Sequence, residues 1–138
     1  MPSFTPTTAT SDVERYRTSA VAQLNDQVRL GHDRKARIVF TRGIVELLRG
    51  GETIQQRRTA RTIVNQALLL RQIALAPIEP GDDPYGERDF GAITFMGKRL
   101  FWKIDAYADD GSFTWGSEAP WDAAVTIRVL TIMRADEY

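Results

Sequence analysis

The residues best equipped for chemistry gather in one stretch, Asp82 to Asp105, which reads DDPYGERDFGAITFMGKRLFWKID. Its carboxylates Asp82, Asp83, Glu87, Asp89 and Asp105 are hard oxygen donors, and loop carboxylates beside a strand end can converge on a divalent cation. Asp83, Glu87 and Asp105 form the candidate metal set. Glu87 with Asp105 is a candidate general acid–base pair. The spacing, however, is not that of a calcium loop, and no histidine stands nearby to call for a transition metal. No nucleophile accompanies the pair. Asp82 and Asp83 before Pro84 are ordinary turn formers, so a structural, carboxylate-rich turn is the simpler reading. The sole histidine, His32, follows Gly31 at an expected helix end, where it satisfies terminal carbonyls. Gly50-Gly51-Glu52 lacks the lysine and further glycines of a phosphate-binding loop.

Two other groups of side chains can bind. Arg57, Arg58, Arg61 and Arg71 can track phosphates, although Arg57, Arg61 and Arg71 do not align perfectly on one helical face. Phe90, Phe95, Phe101, Trp102, Tyr107, Phe113 and Trp115 alternate along expected strands, as stacking platforms do in single-strand nucleic-acid binders. Their neighbourhood is acidic, which favours a hydrophobic core beneath helices. Phe101, with Arg99 and Lys103 on its face, is the exception.

These side chains need elements to hold them. Residues 1–10 are rich in Thr, Pro and Ser and read as a disordered tail, followed by a single domain over 11–138. Ser11 and Glu14 match a capping box. Behind it Val13, Tyr16, Ala20, Leu24 and Val28 form an apolar stripe, and Gly31 closes the helix. Ala36 to Thr41 is a short β-branched strand. Gly43 to Leu48 fits one helical turn or a continued strand. Gly50-Gly51 breaks the chain, and Thr53 to Leu75 is the longest helix. Ile54, Ala60, Val64, Ala67, Leu68 and Leu75 supply its apolar side, with the arginines pointing elsewhere. Pro77 and Pro80 end it.

Phe90 to Met96 and Lys98 to Tyr107 alternate about a tight turn at Gly97, the pattern of a hairpin. Asp109-Asp110-Gly111 signals another turn, with a third strand over Ser112 to Trp115. Asp122 then caps a last helix striped by Val125, Val129, Ile132 and Met133. The sum is an α+β domain: a small antiparallel sheet of three to four strands covered by helices.

A chain of 138 residues with 43% hydrophobic and 26% charged residues can bury a core without staples. With no cysteine, disulfides, thiolate metal sites and cysteine nucleophiles are excluded. No signal peptide precedes the domain and no run reaches a membrane span's length, so a cytoplasmic protein is expected. The formal net charge is zero, yet residues 1–77 carry +6 and residues 78–138 carry −6. Such halves can attract each other within one domain, or mark a binding face.

DPYGERDFG (Asp83 to Gly91), LFWKIDAY (Leu100 to Tyr107), the GSE of Gly116 to Glu118 and RVLTIMRADEY (Arg128 to Tyr138) resemble the bacterial family of unknown function numbered 3768. The resemblance covers Tyr16 to Tyr138. It implies a small accessory protein, often borne on mobile elements, and no assigned activity. The family usually has histidine where Arg88 stands here, and a small residue where Trp121 stands. Joining this to the missing catalytic constellation, the expectation is a non-enzymatic module, without cofactor, that binds another protein. A host defence complex or nuclease, such as a CRISPR or restriction complex, is one such partner. Asp83, Tyr85, Glu87, Arg88, Asp89 and Trp121 are the interaction candidates. A carboxylate-based metal enzyme or ligand-binding domain and a nucleic-acid binder are the alternatives, and an exposed Trp115 or Trp121 would favour self-association.

Overall fold

The computed structural model describes residues 6–138. Three helices and four strands follow one another as α1 (Pro6–Arg29), β1 (Arg37–Phe40), α2 (Arg42–Arg49), α3 (Gln55–Leu75), β2 (Phe90–Phe95), β3 (Lys98–Ala108) and β4 (Thr126–Arg134). Single 3-10 turns occupy Pro80–Asp82, Ala123–Val125 and Ala135–Glu137. The sheet order is β1-β4-β3-β2. β2 with β3 and β3 with β4 are antiparallel, whereas β1 runs parallel to β4. The fold is α+β, with a mixed sheet in place of the purely antiparallel one expected.

The hairpin forms where alternation places it. Met96 and Gly97 both have positive φ, at 51° and 74°, as a two-residue turn matched to strand twist requires. Ile93, Phe95, Leu100, Trp102 and Ile104 then share one face with Leu130 and Ile132 of β4. Val28 of α1, Ile44 and Leu48 of α2, and Leu69 and Ile73 of α3 close over that face to complete the core. All three helices therefore lie on the same side of the sheet. Among the described residues the other side carries no α-helix. Phe90 and Phe101 pack there with Tyr138 at ring-centroid distances of 5.3 to 5.9 Å, and Tyr107 meets Phe113 at 6.0 Å.

Five expectations need correction. Helix α1 begins at Pro6, so Ser11 lies inside it rather than at its cap. The expected tail of residues 1–10 falls outside the described residues over 1–5. Only the C-terminal half of the α1 stripe is used: Val28 is buried, while Val13 and Tyr16 are 48% and 73% exposed. The last helix is strand β4; Asp122 caps only a 3-10 turn, its Oδ1 accepting from the Ala124 N–H at 2.9 Å. The β-branched strand β4 pairs with β3 along Thr126–Arg134 and with β1 over Val129–Ile132, and it buries Leu130 and Ile132 on one face and Val129 and Met133 on the other, which erases alternation.

The third strand over Ser112–Trp115 is a loop touching β3 through one bridge, Tyr107 to Gly116. Ser112 turns back to hydrogen-bond Asp110, and Phe113 adopts φ 53°, both of which break an extended course. Finally, the apolar side assigned to α3 is its solvent side. Ile54, Val64, Leu68 and Leu75 are 48% to 70% exposed, and Leu69 and Ile73 face the core instead.

Candidate functional site

The carboxylate loop is fixed from inside the protein. Gly86 and Arg88 both take positive φ, which curls the segment tightly. The Arg88 N–H donates to Asp83 Oδ1 at 2.9 Å, closing the curl. Arg88 Nε then reaches α1 and donates to both Oδ1 and Oδ2 of Asp26, at 2.9 and 3.0 Å. One residue earlier in α1, Asn25 Nδ2 donates to the Glu87 carbonyl at 2.9 Å. The loop is thus bolted to α1 by two adjacent positions.

Behind those bolts stands a buried cation. Arg128, 2% exposed, points from the start of β4 into the helical layer. Its Nε donates to Asn25 Oδ1 at 2.9 Å and its Nη2 to the Pro120 carbonyl. Burial pulls its pKa down, opposed by the charges of Asp33 and Glu87, and the guanidinium keeps its proton at neutral pH. A second buried arginine, Arg29, donates to the carbonyls of Ala76 at 2.9 Å and Ile73 at 3.3 Å, capping the end of α3, and to Asp26 at 3.3 Å.

The carboxylates sense one another without forming a ligand set. Burial raises the Glu87 pKa, with further upward pushes from Asp89 and Asp83 and a downward pull from Arg128. Burial likewise raises that of Asp89, aided by Asp83 and Asp105 against its own backbone hydrogen bond. Among the described residues no three His, Asp or Glu side chains stand together as a metal ion needs. Asp83, Glu87 and Asp105 are not brought together as the metal alternative requires. Asp105 instead pairs with Lys103 at 3.1 Å.

The remaining interaction candidates are scattered. Tyr85 projects from the loop, 82% exposed. Trp121 is half-buried beneath the Arg17 guanidinium, 4.0 Å from its ring centroid, beside a groove on α1 lined by Ala20, Gln23, Leu24 and Gln27. Trp115 is 69% exposed. Sequence reasoning passed over Asn25 and Arg128. The available signals were an amide between Val21 and Val28 on the buried helix face, and one arginine in an apolar run.

The outer face of α3 is more coherent. At about 100° per residue, Arg57, Arg61 and Arg71 fall within an arc of about 80°, on the apolar side they were expected to point away from. All three are exposed. Val64, Leu68 and Leu75 lie in the same arc, so cations and apolar side chains share one surface. Arg58 differs: it is half-buried and donates to the Glu52 and Thr53 carbonyls at the start of the helix. No acidic residue occurs between Gln55 and Leu75.

A family model described as protein of unknown function (DUF3768) matches residues 40–137. The chain belongs to this family. No curated protein and no solved structure matches it. In this DUF3768 chain the matched stretch takes in α2, α3, the hairpin and β4, together with Glu87, Arg88 and Arg128, and begins after the α1 residues Asn25 and Asp26 that hold them. No helix is long and apolar enough to cross a membrane among the described residues.

Proposed function

We propose that this DUF3768 protein is a non-enzymatic binding module that engages another protein through the outer face of α3. One observation carries the reading. Val64, Leu68 and Leu75 leave 52% to 70% of their surface in water along one helix face, an arrangement that gains free energy when a partner covers it. Arg57, Arg61 and Arg71 among them make the face basic, and it suits a partner whose covering surface is apolar and acidic. An amphipathic acidic helix has that chemistry, because its own stripe can lie along α3. The carboxylate loop contributes indirectly, since its polar groups are spent on holding α1 to the sheet. The mobile-element setting implied by the family resemblance makes a host defence complex the partner to test first.

The test compares two baits, the wild-type chain and the double variant Val64→Asp/Leu68→Asp, with such complexes as prey at low salt. A complex retained by the first and lost by the second supports the reading. Equal capture by both, or capture by neither, sinks it.

A further inference from the structure

Strand β1 is an edge of the sheet, paired only with β4 among the described residues. The Thr41 N–H, immediately after the strand, donates to the Ile132 carbonyl of β4 at 3.1 Å. Because backbone polar groups alternate sides along a strand, those of Ile38 and Phe40 face away from β4, toward the open edge. Arg37, Ile38 and Val39 are all exposed, Ile38 at 42% and Val39 at 44%.

An apolar cleft flanks this edge on each face of the sheet. On the helical side, Val28, Leu30, Ile38, Leu70 and Ala74 line a cleft of about 310 Å³ with Arg71 at its rim. On the opposite side, Val39, Tyr107, Phe113, Val129 and Thr131 line one of about 510 Å³ with Arg37 at its rim. Phe113 holds φ 53°, a conformation that costs a bulky residue free energy, and it presents its ring to this second cleft.

We infer that the open edge of β1 accepts an extended acidic segment of a partner protein as a fifth strand. A strand added there pairs with the main chain of Ile38 and Phe40 and sends successive side chains to opposite faces. One apolar side chain enters the α1–α3 cleft, and the next enters the cleft under Phe113. Carboxylates beside them meet Arg71 and Arg37, neither of which is in an ion pair among the described residues. A second copy of β1 fits less well. Aligned antiparallel, it sets Arg37 of one copy beside Phe40 of the other, and its strand residues Arg37–Phe40 bring no carboxylate to Arg37 or Arg71. This surface shares Arg71 with the exposed face of α3 but is built on the edge of β1, and the inference does not rest on that reading.

The experiment is selection of a random dodecapeptide library on the full-length chain, followed by hydrogen exchange of the chain with and without the recovered peptides. The expected binders alternate apolar residues, carry carboxylates and slow exchange at the Ile38 and Phe40 amides. Ile38→Pro removes an outward N–H without touching the β4 ladder, and it should weaken binding about tenfold. Should that variant lose its fold, Arg37→Glu decides, with a comparable loss expected. Val64→Ser/Leu68→Ser, which adds no charge beside Arg71, must leave peptide affinity unchanged, which separates this edge from the apolar stripe of α3. Failure to recover any peptide, binders without acidic bias, or binders indifferent to Arg37→Glu overturn the inference. So does concentration-dependent protection of Ile38 and Phe40 without peptide, which assigns the edge to a second copy.

Discussion

Leu68 and Leu69 are adjacent in α3 and face opposite environments: Leu69 is completely buried at 0% exposure, whereas Leu68 keeps 52% of its surface in water. The difference predicts opposite responses to the same truncation. Leu69→Ala should cost about 2–5 kcal/mol through lost burial and a residual cavity. Leu68→Ala should stay within about 0.5 kcal/mol of wild type. Urea titration followed by circular dichroism measures both. A large loss at Leu68 would mean that α3 packs the other way round.

Asn25 satisfies a buried and a half-buried partner at once, accepting from Arg128 and donating to the Glu87 carbonyl. Asn25→Ala strands both. The expected cost is about 1–3 kcal/mol, or more because one partner is charged. Asn25→Asp keeps the acceptor for Arg128 and loses only the donor, so it should retain more stability than alanine. A ranking with alanine above aspartate would contradict the network.

Gly91 and Trp102 face each other across the hairpin. A Cβ added at Gly91 would stand 2.5 Å from the indole ring, so Gly91→Ala must displace a buried tryptophan. The expected penalty is about 1–3 kcal/mol, with altered tryptophan fluorescence in the native state. Restoring stability by adding Trp102→Phe, which leaves room for the methyl group, would confirm the contact as its source.

Burial and the neighbouring carboxylates raise the Glu87 pKa above 4.5. A carboxyl that binds its proton more readily folded than unfolded opposes folding when charged. That penalty is present above the folded pKa and disappears as pH falls toward 4.5. Glu87→Gln should therefore raise the melting temperature at pH 7, and the gain should shrink on acidification through that window. A gain independent of pH would assign the effect to packing rather than charge.

A good deal of this architecture can be read locally. The alternation of Gly91, Ile93 and Phe95 against Leu100, Trp102 and Ile104 sets the hairpin and its buried face. Gly97 sets the turn, and Gly50 ends α2 in the left-handed conformation at φ 63°. These features depend on residues a few positions apart, whose preferences hold wherever the segment is placed. The carboxylate loop was legible as a turn for the same reason: Asp83 and Gly86 act on their own backbone. That Asp26, Asn25 and Arg128 would hold it was not legible, because their contacts join positions 62 to 103 residues apart.

What the amino-acid sequence by itself determined is therefore an α+β domain with one certain hairpin, no thiol chemistry and an uneven distribution of charge. Only the tertiary structure decided the identity of β4 and the orientation of α3. Residues 125–133 carry an apolar spacing compatible with helix, and pairing with β1 and β3 on either side selects the strand. Helix α3 offers apolar residues around much of its circumference, and the available floor of the sheet chose Leu69 and Ile73. The physical reason is common to both. Hydrophobic spacing states which residues can be buried, while the partners that bury them come from distant parts of the chain.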